Sequence, residues 1–126
     1  MQLTAEKVIE LITPIPEESF MTNDFSDGKD RCCVMGHLCR LMSKNPEDYS
    51  YDNCYEFGSS NPELSKFRDK TNSFLIFKYG EYSTDISDVN NFTYVNGYNQ
   101  PTPKLRVMTF LQDMLVWEKE SGTKMS

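Results

Sequence analysis

The chain has 126 residues, of which 38% are hydrophobic and 13% aromatic, and nineteen acids against thirteen bases leave it with a net charge of -6. That is one domain's length with enough core-forming material to fold, which excludes an intrinsically disordered polymer. The charge sign excludes a nonspecific grip on phosphate backbones, so no direct nucleic-acid binding is expected; no window approaches the ~18 apolar residues that span a bilayer, so no membrane partner is expected either.

Residues 1–10 lack a basic stretch followed by an apolar run, which points to a cytoplasmic protein with reduced thiols. Without a leader, the Asn91-Phe92-Thr93 glycosylation pattern carries no weight. A first helix is predicted from a cap at Thr4 through Val8, Ile9, Leu11 and Ile12, ending where Thr13-Pro14-Ile15-Pro16 interrupts it. A structured loop follows to Asp30, with Phe20, Met21 and Phe25 along it and a turn at Asp27-Gly28.

The second helix is predicted from about Arg31, capped by Asp30 or a neighbour, to Lys44, with Asn45-Pro46 as its stop. After an aromatic loop containing Cys54, Tyr55 and Phe57, Asn61-Pro62 opens a third helix in the order cap then proline. Leu64, Phe67, Thr71, Phe74, Leu75 and Phe77 follow at helical spacing, and Gly80 ends it. Asp85 to Asn91 reads either as a helical turn or as an extended piece, and the Asn96-Gly97 turn beside Tyr94 and Val95 admits a small hairpin over 92–100. Thr102-Pro103 starts the last helix, with Leu105, Met108, Leu111, Met114 and Leu115 on one buried face and Trp117 at the core edge. The fold class is therefore mostly α: one domain over 1–118, built from about four main helices with long aromatic-rich loops, and a polar tail over 119–126 that frays.

The segment Asp30 to Met42 holds three of the four cysteines and the sole histidine. At about 100° per residue, Val34, Met35, Leu38, Cys39, Leu41 and Met42 fall on a broad apolar arc, and Cys33, His37, Arg40 and Lys44 fall opposite. A thiol and an imidazole thus stand one turn apart near a helix N-terminus, where the dipole favours thiolate. In the catalytic alternative, Cys33 is the nucleophile and His37 the base of a cysteine-dependent hydrolase or transferase, with Asn90 or Asn91 orienting the ring. In the structural reading, Cys33 packs under the preceding loop and His37 lies at the surface. The structural reading is preferred, so no catalytic residue is assigned.

A zinc site from Cys32, Cys33, Cys39, Cys54 and His37 is disfavoured, because adjacent cysteines diverge on a helix and no Cys-x-x-Cys pair occurs. A calcium loop with Gly28 in sixth place would put Phe25 among the ligands. Phosphate loops, Gly-x-Ser-x-Gly elbows and His-Glu-x-x-His pairs are absent from the sequence, and neither metal nor cofactor is expected. Gly36 costs about 1 kcal/mol relative to alanine inside a helix, which suggests a close neighbour there. Tyr49, Tyr51, Tyr55, Tyr79, Tyr82, Tyr94 and Tyr98 crowd the loops and are the candidate binding residues, since tyrosine covers interface area at small conformational cost.

With Cys33-Val-Met-Gly36-His37-Leu38, Asp27-Gly28, Asn90-Asn91 and Thr102-Pro103 in place, the chain resembles a family of small bacterial and bacteriophage proteins, a domain of unknown function with Cys-x-x-Gly-Ala-Leu on its second helix. His37 replaces that family's alanine and Asn91 its aspartate. The resemblance implies a helical cytosolic protein in which Cys33 and Gly36 form a structural pair and His37 lies outside any shared chemistry. It also allows a phage origin, with a host protein as target. The expected function is binding, through a protein partner, and capture of a small ligand among the helices is a further alternative.

Overall fold

The structure, a computed structural model, describes residues 2–22, 31–42, 61–95 and 97–125. Five α-helices occur among them: α1 (Ala5–Ile12), α2 (Val34–Met42), α3 (Pro62–Tyr79), α4 (Ile86–Asn91) and α5 (Pro103–Met125), with a 3-10 turn at Glu17–Ser19. No strand is present among the described residues, only a single parallel bridge between Phe20 and Cys32. The long α5 is the spine. It packs on α1, α3 and α4, while α2 packs on α1 and α4.

Local chemistry sets most helix ends. Thr4 accepts from the Lys7 amide at 3.1 Å to start α1, and Asn61 accepts from Glu63 and Leu64 at 3.0 and 3.2 Å to start α3 with Pro62 in its first turn. Each takes up amides that the helix itself leaves orphaned. Gly80, at φ 71°, ends α3 in the left-handed conformation that glycine adopts at little cost. The segment after it resolves to helix rather than extended chain: Asp85 and Asp88 form a reciprocal capping box that starts α4. Where the sequence admits a hairpin, the Tyr98 amide donates to Val95 O at 2.9 Å and no strand occurs among the described residues of 92–100.

Two helices differ from their sequence-based outline. α2 begins at Val34, because Cys32 is held extended: Cys32 N donates to Ser19 O and Met21 N to Cys32 O, at 3.0 and 2.9 Å. Leu41, expected in the core, is exposed, whereas His37, expected outside, is buried. In α5 the buried stripe is rotated from its predicted line. Val107, Phe110, Leu111 and Met114 are fully enclosed and Leu105 is exposed, because contacts with α1, α3 and α4 enclose the helix on more than one side. Phe77 of α3 likewise faces solvent.

The helix α5 continues beyond residue 118 to Met125. Glu118 is anchored by a distant partner, its two carboxylate oxygens accepting from Ala5 N at 3.1 and 3.2 Å at the amino end of α1, with Lys70 3.7 Å away. A carboxylate at a helix N-terminus meets the positive end of the dipole. At the other end of α1, Lys104 donates to Thr13 O and Ile15 O at 2.9 and 2.7 Å, and the Thr102 hydroxyl donates to Glu17.

Aromatic rings fill the space between α3 and α5. Phe110 meets Phe74 and Tyr98 edge-on at 5.5 and 5.4 Å, and Trp117 leans on Phe74 at 5.4 Å. Tyr79 approaches Tyr98 at 5.9 Å. The turn closes over this cluster at Gly97, where φ is 81° and a Cβ would lie 2.6 Å from the Tyr79 hydroxyl. Glycine is required there both by conformation and by space.

Candidate functional site

The residues singled out at the start of the second helix do come together with those before the last one, around a buried carboxamide. Asn90 is fully buried at the end of α4. Its Oδ1 accepts from Val34 N at 3.0 Å, and its Nδ2 donates to Met21 O at 2.8 Å and to Asn91 Oδ1 at 3.0 Å. The carboxamide therefore caps α2 from another helix and ties the 19–22 segment to both. Since an unpaired buried amide or carbonyl costs about 1–3 kcal/mol, each of these bonds fixes an element in place.

Cys33 is the capping residue of α2: its carbonyl accepts the first helical bond from His37 N at 2.9 Å, and its Sγ accepts from Gly36 N at 3.4 Å. Here a sulfur fills the position usually held by a serine or aspartate oxygen. Cys33 and Gly36 thus meet directly, both buried, as thiol and amide. Cys32 and Cys39 are also buried. Cys54 lies outside the described residues, and among those described no three of His, Cys, Asp and Glu converge as metal ligands.

The ring of His37 is covered by the segment that precedes the helix. Only 3% of the residue is exposed, the Phe20 ring lies 4.6 Å away at 53°, and Nε2 donates to Ser19 O at 2.9 Å. Burial holds the imidazole below its ordinary pKa of 6.5; the bond to Ser19 opposes this, and the positive charge of Arg40 adds to it. The ring is therefore a neutral donor at neutral pH. A general base needs its acceptor nitrogen turned to the substrate's proton, and here Nε2 is turned to a backbone carbonyl.

Arg106 completes the group and was not foreseen. It is buried in α5, its Nε donating to Val89 O at 2.9 Å and its two terminal nitrogens to Asn90 O at 2.6 Å and Gln100 O at 2.9 Å. The guanidinium satisfies carbonyls at the end of α4, where the helix dipole is negative. No sequence signal marked it: position 106 falls away from the predicted stripe of Leu105, Met108, Leu111, Met114 and Leu115, and joins the buried face, one turn before Phe110, only because that face is rotated.

The candidate binding tyrosines divide. Tyr82 and Tyr94 are 74% and 71% exposed, and Tyr94 stacks on the partly exposed Phe92 at 5.0 Å and 24°. Tyr79 is half-buried. Tyr98 is fully enclosed, its hydroxyl donating to Asp113 at 2.7 Å, so its contribution is to the core rather than to an exposed surface. Tyr49, Tyr51 and Tyr55 lie outside the described residues, as do Asp27, Gly28, Asp30, Lys44, Phe57 and Asn96.

No helix among the described residues is long and apolar enough to cross a membrane. No protein-family model, curated protein or solved structure gives a match to the chain.

Proposed function

We propose that this protein acts by binding a protein partner, and that the Cys33, His37 and Asn90 group is an internal clasp rather than a catalytic centre. The observation that supports this most is the double commitment of Asn90, whose oxygen holds the α2 amide and whose nitrogen holds Met21 O. An orienting carboxamide in a cysteine–histidine mechanism would face the imidazole, and this one bonds Val34 N, Met21 O and the Asn91 side chain. Sulfur and ring are also enclosed, with Cys33 6% and His37 3% exposed. A nucleophile has to reach its substrate.

The surface left for recognition includes the stacked Phe92 and Tyr94 together with Tyr82, rigid rings that lose little side-chain entropy on contact. The negative net charge favours a basic partner over an acidic one. A phage origin, which the family resemblance allows, would make that partner a host protein.

The test is a paired one. Thiol titration of the native protein at neutral pH should find Cys33 slow to alkylate, and affinity capture from cytosol should recover one stoichiometric polypeptide with both wild type and Cys33→Ser. The Tyr94→Ala variant should lose that polypeptide. Rapid selective alkylation of Cys33, together with loss of the biological effect in Cys33→Ser while the protein remains folded, would establish the cysteine-enzyme reading instead.

A further inference from the structure

The sole histidine sits where a charge is least welcome, and the element covering it is short. Three observations define the arrangement. The ring is buried against Phe20, it lies within the first turns of α2 where the helix dipole is positive, and it is bonded to Ser19 O. Hydrating the ring without unfolding the helices requires lifting Ser19, Phe20 and Met21. The bonds that fasten that segment include Cys32 N to Ser19 O, Met21 N to Cys32 O and Asn90 Nδ2 to Met21 O.

We propose that His37 is an acid-sensitive latch: protonation of its ring favours release of the Ser19–Met21 segment from the start of α2. A neutral ring needs one donor contact, which Ser19 O supplies, whereas the imidazolium carries a second N–H and a charge that the enclosure must solvate.

Of the charges described around the ring, Arg40 works in the same direction, and the others are engaged elsewhere or lie exposed to solvent. On α2 itself, Arg40 opposes a second positive charge. The 3-10 turn carries Glu17 and Glu18, both exposed, with Glu17 accepting from Thr102. From α1 come Glu6, which is exposed, and Lys7 and Glu10, which pair with one another at 3.5 Å. From α4 comes Asp88, whose carboxylate accepts from Asp85 N, and behind it the buried Arg106 is held by carbonyls.

Opening would uncover Phe20, Cys33 and the Asn90 carboxamide, so acid would convert the closed clasp into an accessible surface. Local opening of this kind is expected where a short segment covers a histidine whose charged form is disfavoured by burial.

Amide hydrogen exchange resolved by residue tests it. Between about pH 7.5 and about pH 5.5, protection factors, which already remove the intrinsic pH dependence of exchange, should fall by several-fold and by at most ~10-fold at Met21 and Cys32, as protonation of His37 favours the open form. The Gly80 amide, bonded to Ile76 O at 2.9 Å in a distant helix end, should keep its protection. His37→Gln retains a donor for Ser19 O but cannot titrate, and should remove the pH dependence. Unchanged protection at Met21 and Cys32 while the ring titrates would overturn the latch. So would an equal fall at Gly80, which reports global unfolding, or the same pH dependence in a folded Gln variant. If the Gln variant does not fold, the wild-type comparison of Met21 and Cys32 with Gly80 decides alone.

Discussion

The clasp around Asn90 and the aromatic cluster around Phe110 both join elements distant in sequence, but they do so by different physics. The cluster is held by ring packing and area removed from water, which is non-directional and tolerates reshaping. The clasp is held by single hydrogen bonds between one side chain and named backbone atoms, and it has no substitute if the donor and acceptor are not both present. Each region also contains a titratable group at its centre, His37 in one and Tyr98 in the other. A small domain can thus be joined by a robust apolar region and a specific polar one.

The two regions should separate under mutation. The largest loss is expected for Phe110→Ala, about 4 kcal/mol of unfolding free energy, because a fully enclosed ring leaves a cavity under α3. Asn90→Ala should follow at about 3 kcal/mol, the sum of a small cavity and two orphaned backbone groups, Val34 N and Met21 O. Urea denaturation at fixed pH measures both. Sharper still are swaps that conserve shape. Tyr98→Phe keeps the ring and gives up the 2.7 Å bond to Asp113, so it should cost only about 1 kcal/mol. Asn90→Leu keeps the volume and should cost as much as the alanine variant or more. If Asn90→Leu proved as mild as Tyr98→Phe, the claim that the clasp works by directed bonds would fail.

Titration distinguishes the regions by sign. His37 has its folded pKa lowered, by burial first, so its contribution to stability is complete above its ordinary value of 6.5 and is lost as pH falls below that value. Tyr98 has its folded pKa raised, by burial and then by its bonds to Asp113 and Tyr79. Its contribution is complete below the ordinary value of 10.0 and is lost as pH rises above it. Unfolding free energy followed from mildly acidic to alkaline pH should therefore fall at both ends, with His37→Gln flattening the acid side and Tyr98→Phe the alkaline side. The smallest effect belongs to Tyr94→Ala, which leaves an exposed stacked pair incomplete and should alter stability by no more than about 0.5 kcal/mol.

Much of the fold is legible in the residues because helix ends are local chemistry. Thr4, Asn61-Pro62 and Gly80 each act within four positions of themselves, and the structure finds each at its predicted boundary. The buried members of α3, Leu64, Phe67, Thr71, Phe74 and Leu75, all belong to the set picked out by spacing, of which only Phe77 faces solvent. The same logic fails at α2, where periodicity sorts residues into two faces but cannot say that a second segment lies on the polar one. Cys33 was expected to pack under the preceding loop and is buried, whereas His37 was expected at the surface and is buried with it. Asn90 was named as a candidate orienter for the imidazole, but its partners, Val34 N and Met21 O, are 56 and 69 residues away and are backbone atoms that any sequence provides.

By itself, then, the sequence determined a predominantly helical chain, the caps of α1 and α3, the stop at Gly80 and most of the apolar faces, because these depend on neighbours within one or two turns. Only the tertiary structure decided which groups face each other across the helices. The tertiary contacts bury His37 beneath Phe20, direct Arg106 to the carbonyls of α4, fasten Glu118 to the first amide of α1 and turn a thiol, an imidazole and a carboxamide inward. The physical reason is that hydrogen-bond satisfaction in a packed interior is settled by the final arrangement of all its elements, whereas capping and periodicity are settled within each one.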